Sequence, residues 1–201
     1  MCAVLLSGCS NAKTFRGFDL SAAPDARLIA VPPVALTEKR GCGFAALSSV
    51  AMYHGVGAKA LLAPAIRERF VGRALSAQDL VEMSKALGLG AYGYSGTVED
   101  LTSNLRKGRP AIVMLDGPPR GGYPPPFGLT LTLAKAIVAG AHWVVVVGVE
   151  PGGFVVYDPL GGYFVMTSKA LDRSWQKRSR VCVLVTREKT GPDAKASPGP
   201  K

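Results

Sequence analysis

Residues 142–166 read "HWVVVVGVEPGGFVVYDPLGGYFVM", three valine- and aromatic-rich runs cut by two short glycine-bearing turns. Runs of this composition and length favour strands, and "EPGG" is short enough to make the first two an antiparallel hairpin. Two more runs of the same kind, "PAIVML" (110–115) and "VCVLVT" (181–186), extend the sheet. Ahead of them the apolar period changes from two to about 3.6. Ala45, Ala46, Ser49, Val50 and Tyr53 predict a helix from Cys42 that Gly55 ends. Ser76 with Asp79 three residues on, and "TVEDLTSNLRKG" from Thr97, predict two more, each ending at a glycine. Helices first and a mainly antiparallel sheet afterwards make an α+β fold.

The chain has 201 residues, 48% of them hydrophobic and 19% charged, which suits one domain with a real core. That domain is expected over 28–186. "RLIAVPPVAL" (27–36) reads as an extended lead-in to Cys42, and the polar, proline-bearing tail 187–201 as disordered. The formal net charge of +10 favours contact with anionic surfaces. The basic residues form no stripe interleaved with aromatics, so no nucleic-acid partner is expected.

Leu6-Ser7-Gly8-Cys9 resembles the lipobox of bacterial lipoproteins, in which the cysteine is lipidated. On that reading residues 1–9 are a short lipoprotein-type signal segment, 10–27 a polar tether, and the body is lipid-anchored in the bacterial cell envelope facing the periplasm. No other segment reaches the roughly 18 consecutive apolar residues of a spanning helix.

Cys42 lies between two glycines at a helix start, where the helix dipole and a neighbouring imidazolium lower a thiol pKa from about 8.5 toward about 3.5–7.5. His142 opens the most hydrophobic strand, and Asp158 ends the next one. With the turn centred near 151 and 152, hairpin geometry sets 142 opposite 158 and an acid beside the imidazole. Cys42, His142 and Asp158 are therefore candidates for nucleophile, base and orienting acid. The four cysteines and two histidines match no zinc spacing, so no metal or other cofactor is expected. His54, near the end of its helix, reads as a surface residue favoured by the dipole, and Cys182 as buried. "GGYPPPFGL" reads equally as a lid over a substrate groove or as a long loop.

"GCGFAALSSVAMYHG", the 142–166 run and Trp175 together resemble the bacteriocin-processing, double-glycine-type cysteine peptidases and their stand-alone relatives in the papain-like clan. The resemblance spans residues 28 to 186. It implies a papain-like fold, Cys42 as nucleophile, His142 as general base then acid, Asp158 as orienter, and a peptide or protein substrate cut after small residues. It also implies a possible ABC-type exporter as a separate partner. In that family a glutamine five or six residues before the cysteine donates to the oxyanion. Here those places hold Thr37 and Leu36, so Thr37 and Lys39 are the oxyanion candidates beside the Cys42 N–H. That departure keeps open a peptide-binding module on the same fold, and related folds keep open an acyl transferase.

Overall fold

The computed structural model describes residues 15–17, 28–34, 40–117 and 140–187. The lipobox-like stretch ending at Cys9, the oxyanion candidates Thr37 and Lys39, the "GGYPPPFGL" segment and the tail beyond Arg187 lie outside the described residues.

The expected helices form as α1 (Cys42–Tyr53), α4 (Ala77–Ala86) and α5 (Val98–Arg106). The latter two start with full capping boxes, Ser76 with Asp79 and Thr97 with Asp100, which satisfy the first backbone N–H groups. Nine of the twelve residues of α1 are buried, as expected of a helix apolar on every side. Three helices were not anticipated from sequence: α2 (Ala58–Leu61), α3 (Pro64–Phe70) and α6 (Ser168–Gln176). Proline at the first position of α3 was an available signal. No helix among the described residues is long and apolar enough to cross a membrane.

The strands are β1 (Phe15–Gly17), β2 (Leu89–Ser95), β3 (Ala111–Asp116), β4 (Ala141–Glu150), β5 (Gly153–Asp158), β6 (Gly162–Thr167) and β7 (Val181–Arg187). They form one sheet in the order β1-β6-β5-β4-β3-β7-β2, and every pairing is antiparallel. Two of these strands escape the sequence reading. β1 falls inside the segment read as a tether. β2, "LGAYGYS", buries only its first residue and carries two glycines, so it lacks the apolar alternation that marks a half-buried strand. β7 runs one residue past the expected domain end, with Arg187 paired to Leu89.

All six residues of β5 and seven consecutive residues of β4, His142–Gly148, are buried. Successive side chains point to opposite faces, so both faces are covered. α1 packs on β4, α4 on β2 and β7, α5 on β4 and β3, and α6 on β3, β5 and β6. The end of β3 is tied to α6 and the residues behind it: Ser174 accepts the Asp116 N–H, and the Asp116 carboxylate pairs with Lys177 and Arg178.

The central hairpin differs from the expected register. Tyr157 lies opposite Val145 and Val156 opposite Val146, with a bulge before Gly148 pairs with Val155. Carried forward, this sets Asp158 diagonal to His142 rather than directly across. The displacement is two residues, and an even shift leaves a side chain on the same face, so the acid and imidazole still meet.

Gly153 closes this hairpin, and a Cβ built on it would lie 2.6 Å from the Met166 carbonyl oxygen, a backbone atom that cannot step aside cheaply. Gly153→Ala is expected to destabilise the domain by about 1–3 kcal/mol in urea unfolding. A change below about 0.5 kcal/mol would show that the β5–β6 ladder yields there.

Candidate active site

Asp158 and His142 are both fully buried, and His142 Nε2 donates to Asp158 Oδ2 at 2.8 Å. The carboxylate's second oxygen accepts the Leu160 N–H at 2.8 Å, so Asp158 is at once the turn-former before Pro159 and the partner of the imidazole. A carboxylate can only accept, which puts a proton on Nε2 and leaves Nδ1 as the basic nitrogen. Nδ1 has no hydrogen-bond partner of its own within ordinary limits, and the group His142 interacts with besides Asp158 is the Cys42 thiol.

The helix that bears Cys42 has no capping side chain at Gly41 and no acid in its first turn, unlike α4 and α5. The positive end of its dipole is therefore offered undiluted to the thiol. Burial pushes the Cys42 thiol up, but the neighbouring His142 and the Trp143 backbone N–H outweigh it and hold the thiol below its usual range. For His142, burial acts downward, and the Asp158 carboxylate and Cys42 together raise it above the ordinary histidine range. The two shifts have opposite sign, as a thiolate–imidazolium pair requires.

Close approach explains the second glycine of "GCG". A Cβ on Gly43 would lie 3.0 Å from Trp143 Cδ1 and 3.2 Å from Leu75 Cβ. The indole is itself fixed, its N–H donating to the Leu75 carbonyl at 2.8 Å. Gly43 thus lets α1 sit directly on the strand residue next to His142. Sequence reasoning missed Trp143, whose backbone N–H faces the thiol; nothing but its place beside His142 could have signalled it.

Two other sequence readings are settled by packing. Burial lowers the pKa of His54 and its Nε2 lies 3.0 Å from the Val185 carbonyl, so it is a neutral donor stapling the end of α1 to β7, not a surface cation favoured by the dipole. Cys182 is fully buried, and burial pushes its thiol well up. Trp175 is buried under Gly96 and donates to the Val181 carbonyl.

Residues 28–183 match the model of the Peptidase C39-like family. The chain belongs to this family. Solved structures share its fold. A double glycine motif protease from an AMS/PCAT transporter, in complex with the leader peptide, is 20% identical with a TM-score of 0.56, covering 80% of this chain and 94% of its own. A C39-like peptidase from Bacillus anthracis is 15% identical with a TM-score of 0.58, covering 81% and 98%. The peptidase domain of Streptococcus ComA, a bifunctional ABC transporter involved in quorum sensing, is 20% identical with a TM-score of 0.57, covering 79% and 100%. No curated protein matches the sequence. The papain-like α+β fold expected from sequence is the fold of this C39-like chain.

Asp158→Asn tests the geometry. Two donors, Leu160 N–H and His142 Nε2–H, face two oxygens, and an amide supplies only one acceptor. The substitution is expected to cost about 1–3 kcal/mol for the unmatched buried donor. It should also remove low-pH reactivity of Cys42 toward iodoacetamide, because the imidazolium loses its counter-charge. Unchanged low-pH alkylation would show that Asp158 does not support the pair.

Proposed function

We propose that this C39-like chain is a cysteine peptidase in which Cys42 is the nucleophile, His142 the general base then acid, and Asp158 the orienting acid. The observation that carries the reading is the buried His142–Asp158 pair beside a thiol whose pKa is held down. The Cys42 thiolate attacks the scissile carbonyl carbon. The C–N bond breaks as imidazolium Nδ1 gives its proton to the leaving amine. Neutral His142 then takes a proton from water, whose oxygen attacks the thioester and releases the thiol and the second product. Asp158 keeps the other proton on Nε2 throughout, so that Nδ1 alone faces the reaction.

A peptide cut after small residues, in the manner of a leader peptide, is the proposed substrate. The likeness to a protease solved with its leader peptide supports this, and an exporter is the proposed partner. The Leu6–Cys9 lipobox supports a lipid-anchored position in the cell envelope. The absence of glutamine at 36 and 37 supports the second reading, a domain that binds such peptides and cuts them slowly.

Cys42→Ala is expected to abolish cleavage of a peptide carrying a Gly-Gly site while leaving thermal stability nearly unchanged. With the other cysteines replaced, Cys42 alkylation should show a low-pH shoulder, set by the lowered thiol pKa and followed by a second rise as the imidazolium deprotonates. In His142→Gln, whose amide can still donate to Asp158, the shoulder should vanish. A single rise near pH 8.5 in the unsubstituted protein, with no cleavage, would discard the peptidase reading.

If the missing donor limits the rate, Thr37→Gln or Leu36→Gln should raise kcat, because one such donor is worth about a hundred- to a thousandfold. No gain from either would assign the donor's work to other groups.

A further inference from the structure

Helix α6 carries its charge in a way that the other helices do not. Leu171 and Trp175 are its buried side, and Lys169, Arg173, Gln176 and, at its C-cap, Lys177 are exposed on the other. Lys169, Arg173 and Lys177 stand at i, i+4 and i+8, so they form one stripe about 12 Å long. Like charges at that spacing repel, and each pair costs about as much as an opposite pair would contribute. The stripe also sets Lys169 in the first turn, where the helix dipole opposes a cation. At the same place α4 has Asp79, and α5 has Glu99 and Asp100, whereas α6 has no acid.

The corner behind the helix adds to the surplus. Residues 168–180 hold Lys169, Arg173, Lys177, Arg178 and Arg180 against Asp172. Asp172 is taken up by the Arg180 guanidinium, and Asp116 of β3 by Lys177 and Arg178. Among the described residues no carboxylate pairs with Lys169 or Arg173. Local stability gives no reason for such a stripe, and its complement lies outside the domain. The exposed residues include no aromatic on which a base could stack.

Position selects among polyanions. β1 pairs with β6, Phe15 opposite Met166, and β6 runs directly into α6 through Thr167, the last residue of the strand and the cap of the helix. Lys169 stands three residues beyond Met166, and Cys9 six residues before Phe15. A lipid held at Cys9 therefore reaches a bilayer from the side on which the stripe begins.

We propose that the outer face of α6 is a docking surface for an anionic bilayer, with Lys169, Arg173 and Lys177 against the lipid headgroups. The choice of a bilayer rests on the lipobox reading above; the charge of the stripe does not. The attraction is electrostatic. It is worth about fivefold in binding for each basic residue near the surface, and it fades within a Debye length, about 10 Å in 0.1 M salt.

The full chain with Cys9→Ala, which cannot be lipidated at that position, separates the surface from the anchor. At low salt it should co-sediment with vesicles of equal parts phosphatidylglycerol and phosphatidylcholine, and not with phosphatidylcholine alone. Raising NaCl toward about 0.5 M should release it. Lys169→Gln together with Arg173→Gln should weaken binding about twenty- to thirtyfold. Because the pair of changes relieves repulsion, thermal stability should hold or rise; a fall would show that the two side chains hold the fold, and would overturn the proposal. Lys59→Gln with Arg67→Gln removes the same charge from exposed positions on α2 and α3, and should leave binding within about twofold. Equal loss in the two double variants, or no binding to the anionic vesicles, overturns the proposal. Stripe-dependent binding to soluble polyglutamate in place of vesicles overturns it too and assigns the face to an acidic protein. Labelled palmitate, supplied to a bacterial host of the unsubstituted chain, tests the lipobox separately. No label at Cys9 alongside stripe-dependent vesicle binding would discard the lipobox reading and uphold the surface.

Discussion

The buried hydrogen bond between His142 and Asp158 is the interaction on which the site depends, because neither group belongs in an apolar core alone. Breaking the pair on one side leaves a buried polar group unmatched, at a cost of about 1–3 kcal/mol. Together they fix a tautomer and a ring orientation beside the Cys42 thiol. The sheet supplies what they need: β4 is held between β3 and β5, and both of its faces are covered, so neither backbone nor solvent competes for the imidazole.

Around that pair the fold solves a problem of distance. A helix start must be brought against a strand bearing a bulky indole, and the chain does this by deleting a side chain at Gly43 and locking the indole to Leu75. The same economy governs capping. α4 and α5 spend a side chain on their first turn, whereas α1 leaves its first N–H groups uncapped by any side chain at the place where negative charge would develop. Stability of the helix there is supplied by burial, not by a cap.

Much of this was legible in the sequence because its causes are local. Valine runs between glycine turns gave the strands, and a small-residue helix after "GCG" gave α1. His142 and Asp158 stand sixteen residues apart across one turn, so even a register misjudged by two left them on one face. What was not legible has causes distant in sequence. β2 is a strand only because β7 pairs with it, nearly a hundred residues on. His54 is tied to β7 through the Val185 carbonyl, 131 residues on, and the Tyr157 hydroxyl bonds Val34, 123 residues away.

The three-residue strand β1 changes how far the rest of the chain can roam. Its pairing with Phe164–Met166 of β6 makes β1 an edge strand of the sheet and fixes Phe15 at that edge. A fully extended chain advances at most about 3.6 Å per residue, so any group carried at Cys9 stays within roughly 20 Å of that edge. If that group sits in a bilayer, the domain is not a ball on a long string. It is moored by one side, with the β1 edge toward the surface and the opposite, β2 edge turned away.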